Sequence, residues 1–375
     1  MLVETFVGPS NVNSALTFDA DRTINEYIEP QKPGNGGKSD VMLVPAPGLT
    51  LFAAVPGSSV PLLFQQDGRA FGVAGDQFIE IFADASWTSY GTVSVVTDVY
   101  PTLCSNGTAG FQLFLTAGLN GYIFDLNTNT LTLIADPDFP QGQALMGEFM
   151  DGYFLVLVSG TRRFQISALE DGTSWDGLDV AERSEASDNL SAMRRNHREI
   201  WFQGTLTSEV WYDNGDPLFP FAPIQGVFLE EGVPSSWTTR RFNNTLVYVA
   251  KNQDGAGIVM RADGYNPVRT STHAVELAIQ NTGLATARAW VYQERGHLFY
   301  LLHLPTNETT FVYDVALDRW AERATLVDDS VEPWVWAPNR PISHCFAFQK
   351  HLVGDISTGT IYEQSVTIFT QELAV

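Results

Sequence analysis

A chain of 375 residues is longer than the roughly 250–300 residues at which one hydrophobic core stops growing, so its core must be divided into units. Its 44% hydrophobic content, with 24 Phe, 12 Tyr and 9 Trp, excludes intrinsic disorder and fits a pleated, half-buried surface. The net charge of −22, from 21 basic against 43 acidic residues, argues against a protein that grips a phosphate backbone, which needs clustered cations.

The charge deficit is uneven. Residues 70 to 161 contain no Lys or Arg, yet carry Asp76, Glu80, Asp84, Asp98, Asp125, Asp136, Asp138, Glu148 and Asp151. This acidic sector is read as a solubility surface, a channel wall or one face of a subunit contact. The dense basic positions are Arg194, Arg195 and Arg198, with His197 among them, and the pair Arg240 and Arg241. Their default reading is a solvated face, and their sharper one is a subunit interface that meets the acidic sector of a neighbouring copy.

Seven hairpins follow one another along the chain, each an apolar strand, a Gly/Asp/Asn turn and a second strand. They run over 70–83 with its turn at Gly75-Asp76, 111–125 turning at Gly118 to Gly121, and 153–166 bending at Gly160. The next are 200–213 around Gly204, 246–261 turning on Asp254-Gly255 and Gly257, 298–314, and 346–362 through Gly354-Asp355 and Thr358-Gly359. The centres of the second strands (Ile79, Ile123, Gln165, Val210, Val259, Val312 and Tyr362) recur at steps of about 40 to 55 residues, the spacing of propeller blades. No stretch shows sustained helical periodicity.

The expected fold is therefore all-β, a β-propeller of seven blades with six or eight as the neighbouring counts. Two packed β-sandwiches are the competing architecture. Terminal strands should close the ring, with residues 2–6 and 366–371 as the candidates, because either would cover an open sheet edge. Residues 1–40 are read as an N-terminal arm and 41–375 as the propeller.

No catalytic constellation stands out. Cys104 and Cys345 make neither a disulfide framework nor a metal spacing. His297 and His303 share one face of a strand without a third ligand, and no G-x-S-x-G phrase occurs. The Gly-rich segment 33–39 lacks the spacing of a phosphate-binding loop. The N-terminus has no charged and apolar signal pattern, and no window holds 18 apolar residues. The chain is expected to be synthesised in a reducing cytoplasm, without a cofactor, metal or membrane segment.

The most informative stretch is 171–221. It combines DGTSWDGLD, a polar connection, the strand carrying Thr207, Glu209 and Trp211, and GDPLFPF. With LVPAPGLTLFA at 43–53, DPDFPQG at 136–142, DGYFLVL at 151–157 and STHAVE at 271–276, the chain resembles the packaged-DNA stabilisation, or tail accessory (tail hub), proteins of short-tailed bacteriophages. The resemblance runs in order over nearly the whole chain. In the opening phrase, GPSNVNSALTFDADRTINEYIEP at 8–30, the order Glu29-Pro30 inverts the family's usual pair, and family members often continue beyond the last blade.

The resemblance implies a structural virion protein of the tail, not an enzyme, assembled as a homo-oligomeric ring for which a hexamer is expected. Such a ring would extend the portal channel below the portal-adaptor ring, help retain packaged DNA and allow its ejection, and meet a distal needle or fibre. DNA would pass without specific binding, and a chain with only Lys32, Lys38, Lys251 and Lys350 suits such a wall.

The alternative is a carbohydrate-binding or sialidase-like propeller. Residues 170–175 approximate an Asp-box, and Trp175, Trp201, Trp211, Trp334 and Trp336 offer a stacking platform. On strands with this alternation, however, tryptophans are more often blade core. Asp171, Gly172, Trp175 and Trp211 are accordingly assigned to a structural turn and blade core. Asp171 should accept backbone donors and Gly172 should supply a positive φ.

Overall fold

The computed structural model describes residues 22–30, 41–183, 185–242, 244–251, 255–282, 284–307, 309–328, 330 and 334–372. Seven antiparallel sheets, six of four strands and one of five, follow one another in sequence. Their first strands are Leu62–Gln66, Thr102–Ser105, Ala144–Met150, Leu190–Asn196, Arg240–Phe242, Arg288–Glu294 and Pro341–Ala347. Each first strand contacts the first strands of the sheets on either side, so these seven strands ring a central channel. The chain is a seven-bladed β-propeller.

All seven hairpins of the sequence analysis are the second and third strands of successive blades. Both faces of these strands are covered, which explains their unbroken apolar runs. In Tyr153–Val158 every residue after the first is buried, and in Thr310–Asp314 every residue is. The core is divided as the length required. One apolar cluster joins Phe71 and Phe78 of the first blade to Leu115 and Phe124 of the second, and another joins Val249 and Val259 of the fifth to Tyr300 and Tyr313 of the sixth.

A strand from the N-terminal side closes the ring. Gly48–Ala54 is the outer strand of the seventh blade, paired with Thr360–Ser365. The exposed edge of Gly48–Ala54 is in turn covered at its start, where Gly48 N–H donates to Ile368 O at 2.7 Å and Leu49 N–H to Thr370 O at 2.9 Å. The closing strand is therefore 48–54, with 368–372 as a short cover. Residues 2–6 lie outside the described residues, as does the Gly-rich segment 33–39. Before the ring begins, Glu26–Pro30 pairs with Val41–Pro45 as a separate two-stranded ribbon.

A second departure from the sequence expectation is the α-helix His273–Thr282 between the fifth and sixth blades. Val275 and Ile279 bury one turn apart against the cluster between those blades. Arg269 grips Glu276 with two hydrogen bonds of 2.7 and 2.6 Å, and Ser271 Oγ donates to the same carboxylate.

Candidate functional site in the central channel

The inner strands bring together side chains far apart in sequence. Glu148, Arg194 and Arg240 each sit two residues before the turn that ends their inner strand, at equivalent positions of the third, fourth and fifth blades. Arg288 opens the inner strand of the sixth blade. All four line a central cavity of about 410 Å³, together with Tyr100, Trp237, Trp290 and His344.

The electrostatics of this cavity are lopsided. Arg194 Nη1 lies 3.1 Å from Glu148 Oε1, and Arg194 Nε donates to Thr239 O at 3.2 Å. Burial pushes the Glu148 carboxyl up, against the pull of Arg194. Arg240 donates to Thr239 O at 2.9 Å and pairs with no carboxylate among the described residues. Burial first, then the charges of Arg194 and Arg288, hold Arg240 down at about 9. Arg288 is 5% exposed and stacks over the Tyr100 ring at 4.3 Å, while its Nε has no hydrogen-bond partner among the described residues. Burial brings Arg288 to about 10 and, with the neighbouring His351, brings His344 to about 3. His344 is therefore neutral at pH 7.

The remaining basic candidates divide between the ends and the outside. Arg195 caps its own turn, donating to Phe149 O at 3.1 Å and His197 O at 2.9 Å. Arg198 is exposed and meets Asp151 at 3.2 Å, and Arg241 is exposed at the edge of the cavity. The five arginines thus do not share one face: Arg194 and Arg240 point inward to the channel of their own chain.

The acidic sector is also dispersed. Because alternate turns of a blade fall at opposite ends, Asp76, Asp98, Asp136 and Asp138 lie at one end of the propeller, and Asp84, Asp125 and Asp151 at the other. Several serve their own turns. Asp84 accepts from Ser86, Asp125 from the Asn127 and Thr128 amides, and Asp136 from the Asp138 and Trp175 amides. Glu80 is buried and bound by Arg69 through two 2.7 Å contacts.

Trp175 is 4% exposed and packs edge-on to Phe139 at 4.9 Å, with Phe114 of the second blade at 5.8 Å. Its indole N–H donates to Gly172 O at 2.8 Å. Asp171 accepts from the Thr173 amide and hydroxyl at 2.9 and 2.7 Å and from Gln112. Burial pulls the Asp171 carboxyl upward, but these hydrogen bonds outweigh it and leave it below the usual range. The positive φ expected at Gly172 is instead at Glu170 (φ 58°). Glycine is needed at 172 for space, since a Cβ there would lie 2.5 Å from Ile123 Cδ1. Trp211 is 5% exposed, and its indole donates to Glu209 at 3.2 Å.

Sequence reasoning missed the channel cluster. The signal was present: Glu148, Arg194, Arg240 and Arg288 recur at steps of about 46 to 48 residues, the same blade period that the hairpins displayed.

Residues 8–368 match the family described as bacteriophage P22 Gp10, β-propeller. No curated protein matches the chain in sequence. Among solved structures, the chain is similar to the extracellular domain of the putative one-component system BT4673 from B. thetaiotaomicron, with a TM-score of 0.55 at 7% identity over 84% of this chain. A second structure, titled as the extracellular domain of the putative hybrid two-component system BT4673, gives a TM-score of 0.53 at 8% identity over 85% of this chain. The chain spans 40% of the length of each of these two, and at such identities the likeness is one of fold alone.

Proposed function

Because the chain belongs to the bacteriophage P22 Gp10 β-propeller family, we propose that it serves as a tail hub that extends the portal channel and helps retain packaged DNA until ejection. The family match over 8–368 carries this reading and makes the chain a structural component of a phage virion. Copies assemble as a homo-oligomeric ring, with six as the expected number, between a portal-adaptor ring and a distal needle or fibre.

Two features of the structure support a ring. The hole within one propeller is a cavity of about 410 Å³, the size of a small-ligand pocket. A DNA conduit therefore has to lie between copies and not through one. Leu326, Val327, Trp334 and Val335 expose an apolar strip where the sixth blade carries its fifth strand, a feature typical of association surfaces.

The non-catalytic reading has its own support. Glu148 is the one carboxylate among the described residues lining the cavity, and Arg194 holds it. Glycoside hydrolysis by a carboxylate pair finds no second group there, and hydrolysis by an arginine cluster with a tyrosine nucleophile, for which Arg194, Arg240, Arg288 and Tyr100 supply the residue types, is what a sialoside assay tests. Light scattering on the purified protein and on tails stripped from virions tests the proposal. The expected result is a closed multimer in tails, and phage lacking the protein should package DNA and then lose it. A monomer that is absent from virions and hydrolyses sialosides would overturn it.

A further inference from the structure

We propose that the central channel of the propeller binds a phosphate monoester, held by Arg194, Arg240 and Arg288. The proposal is independent of where the protein sits in a virion, because it rests on the inner strands of one chain.

In a chain of net charge −22, four arginines line one cavity, Arg241 at its exposed rim and Arg194, Arg240 and Arg288 within it, and Glu148 is the single carboxylate among the described lining residues. Cations buried without counter-charge are costly, and a fold that retains them usually pairs them with something. Arg194 is already paired. Among the described residues Arg240 and Arg288 have no such partner, and Arg288 keeps an unpartnered Nε although only 5% of the residue is exposed. His344 adds no charge, and burial with mutual repulsion already weakens the hold of Arg240 on its proton. Within the cavity, the exposed rim residue Arg241 aside, there is thus an excess of two positive charges.

A phosphate monoester carries about −1.5 to −2 at neutral pH, which matches that excess, whereas a carboxylate or chloride supplies half of it. Planar guanidiniums bind tetrahedral oxyanions through paired donors, and a low-dielectric wall strengthens those bonds. The cavity is larger than a phosphate ion, and Tyr100, Trp237 and Leu103 give its wall an apolar side for the esterified group. Two sources share this chemistry, a free nucleotide-like metabolite and the terminal phosphate of a nucleic acid strand.

The test is calorimetry and thermal unfolding of the full chain with inorganic phosphate, a 5′-mononucleotide, and a short single-stranded oligonucleotide with or without its 5′-phosphate. Ionic strength is matched with chloride. Phosphate should bind and raise Tm where chloride does not, and Arg240→Gln and Arg288→Gln should each weaken it at least about tenfold. Neither substitution strands a carboxylate, so both variants should fold with unchanged or higher Tm in chloride. Should one fail to fold, Glu148→Gln serves instead, because it raises the positive excess and should tighten phosphate binding. Oligonucleotide binding that requires the 5′-phosphate would support the site with a nucleic acid source. Binding of the mononucleotide with exclusion of the oligonucleotide would support it with a small-molecule source. Equal behaviour in phosphate and chloride, or phosphate binding unchanged in both arginine variants, would overturn the proposal.

Discussion

His297 Nε2 lies 2.6 Å from Glu29 Oε2, and this contact ties the N-terminal ribbon to the sixth blade. The opposite ring nitrogen lies 2.6 Å from Asp314 Oδ2, so the imidazole bridges two carboxylates. The Asp314 bond, aided by the one to Glu29 and opposed by burial, raises the His297 pKa. A raised histidine stabilises the fold below its unfolded pKa of about 6.5 and loses that contribution as pH rises through the higher folded value. The protection of the amides of residues 26–29 against hydrogen exchange, relative to the base-catalysed intrinsic rate, should therefore fall on the alkaline side of neutrality. Glu29→Gln should lower the His297 pKa in an NMR titration and cost about 0.5–1 kcal/mol, since Glu29 is partly exposed. A protection factor that stays constant from pH 6 to 9 would contradict the latch.

Trp175 fills the seam between the second and third blades, so Trp175→Ala should cost about 3–5 kcal/mol and lower Tm by several degrees. Gly172→Ala should also destabilise, by about 1–3 kcal/mol, because its methyl would press on Ile123 and Phe154. Replacing Gly160, whose Cβ direction is open but whose φ is 72°, should cost less, about 1 kcal/mol. Chemical denaturation of the three variants fixes their order, and a Trp175→Ala protein as stable as the parent would mean that the ring is not packed as described.

The propeller was legible because the second and third strands of every blade are covered on both faces and so read as continuous apolar runs. YFLVLV and LFYLL announce themselves in this way. The inner strands were harder to see. Leu190–Asn196 (LSAMRRN) is half polar because one end lines the channel, and Arg194 and Arg195 looked like a solvated patch. The inward placement of Arg194 depends on blade register, which a charge count along the chain does not contain. The helix escaped notice because Ala274, Val275, Ala278 and Ile279 span barely two turns. The closing strand was assigned to 2–6 or 366–371 because both are apolar and terminal. Gly48–Ala54 takes that place by pairing with Thr360–Ser365.

Arg183 has no exposed side-chain surface and lies between Asp188 at 2.9 Å and Glu209 at 3.2 Å. Its Nη1 also donates to Thr207 O at 3.0 Å, and Asp188 accepts the Leu206 and Thr207 amides. Burial draws the Asp188 carboxyl up, but the bonds from Thr207, Leu206 and Arg183 prevail and hold it below the ordinary range. A lowered carboxylate contributes stability above its unfolded pKa of about 3.9 that disappears as pH falls through the folded value. Acid unfolding should therefore begin below about pH 4 at this junction of the third and fourth blades. Glu209→Gln, which leaves Arg183 with one carboxylate, should cost up to about 3–5 kcal/mol in urea denaturation. Arg183→Met, which strands two carboxylates, should be at least as damaging, and a neutral result for both would show that water reaches the cluster.

Arg194 and Arg198 are four residues apart on one strand and its turn, yet they should respond differently to charge reversal. Arg194 is 13% exposed and meets Glu148 in the channel, so Arg194→Glu sets two carboxylates face to face in a confined space. The expected cost is about 3 kcal/mol or more, seen as a lower urea midpoint in the isolated chain whatever its state of assembly. Arg198 is 80% exposed beside Asp151, and Arg198→Glu should change the fold's stability by no more than about 0.5 kcal/mol. If Arg198 belongs to a contact between copies, its reversal should instead lower the mass of the assembly while Tm of the chain stays put. Raising salt should weaken that contact within a Debye length of about 10 Å at 0.1 M. Arg194→Glu that folds like the parent but dissociates an assembly would place Arg194 outside the channel. The two substitutions thus separate a charge that holds a blade seam from one whose only effect, if copies meet there, is on assembly.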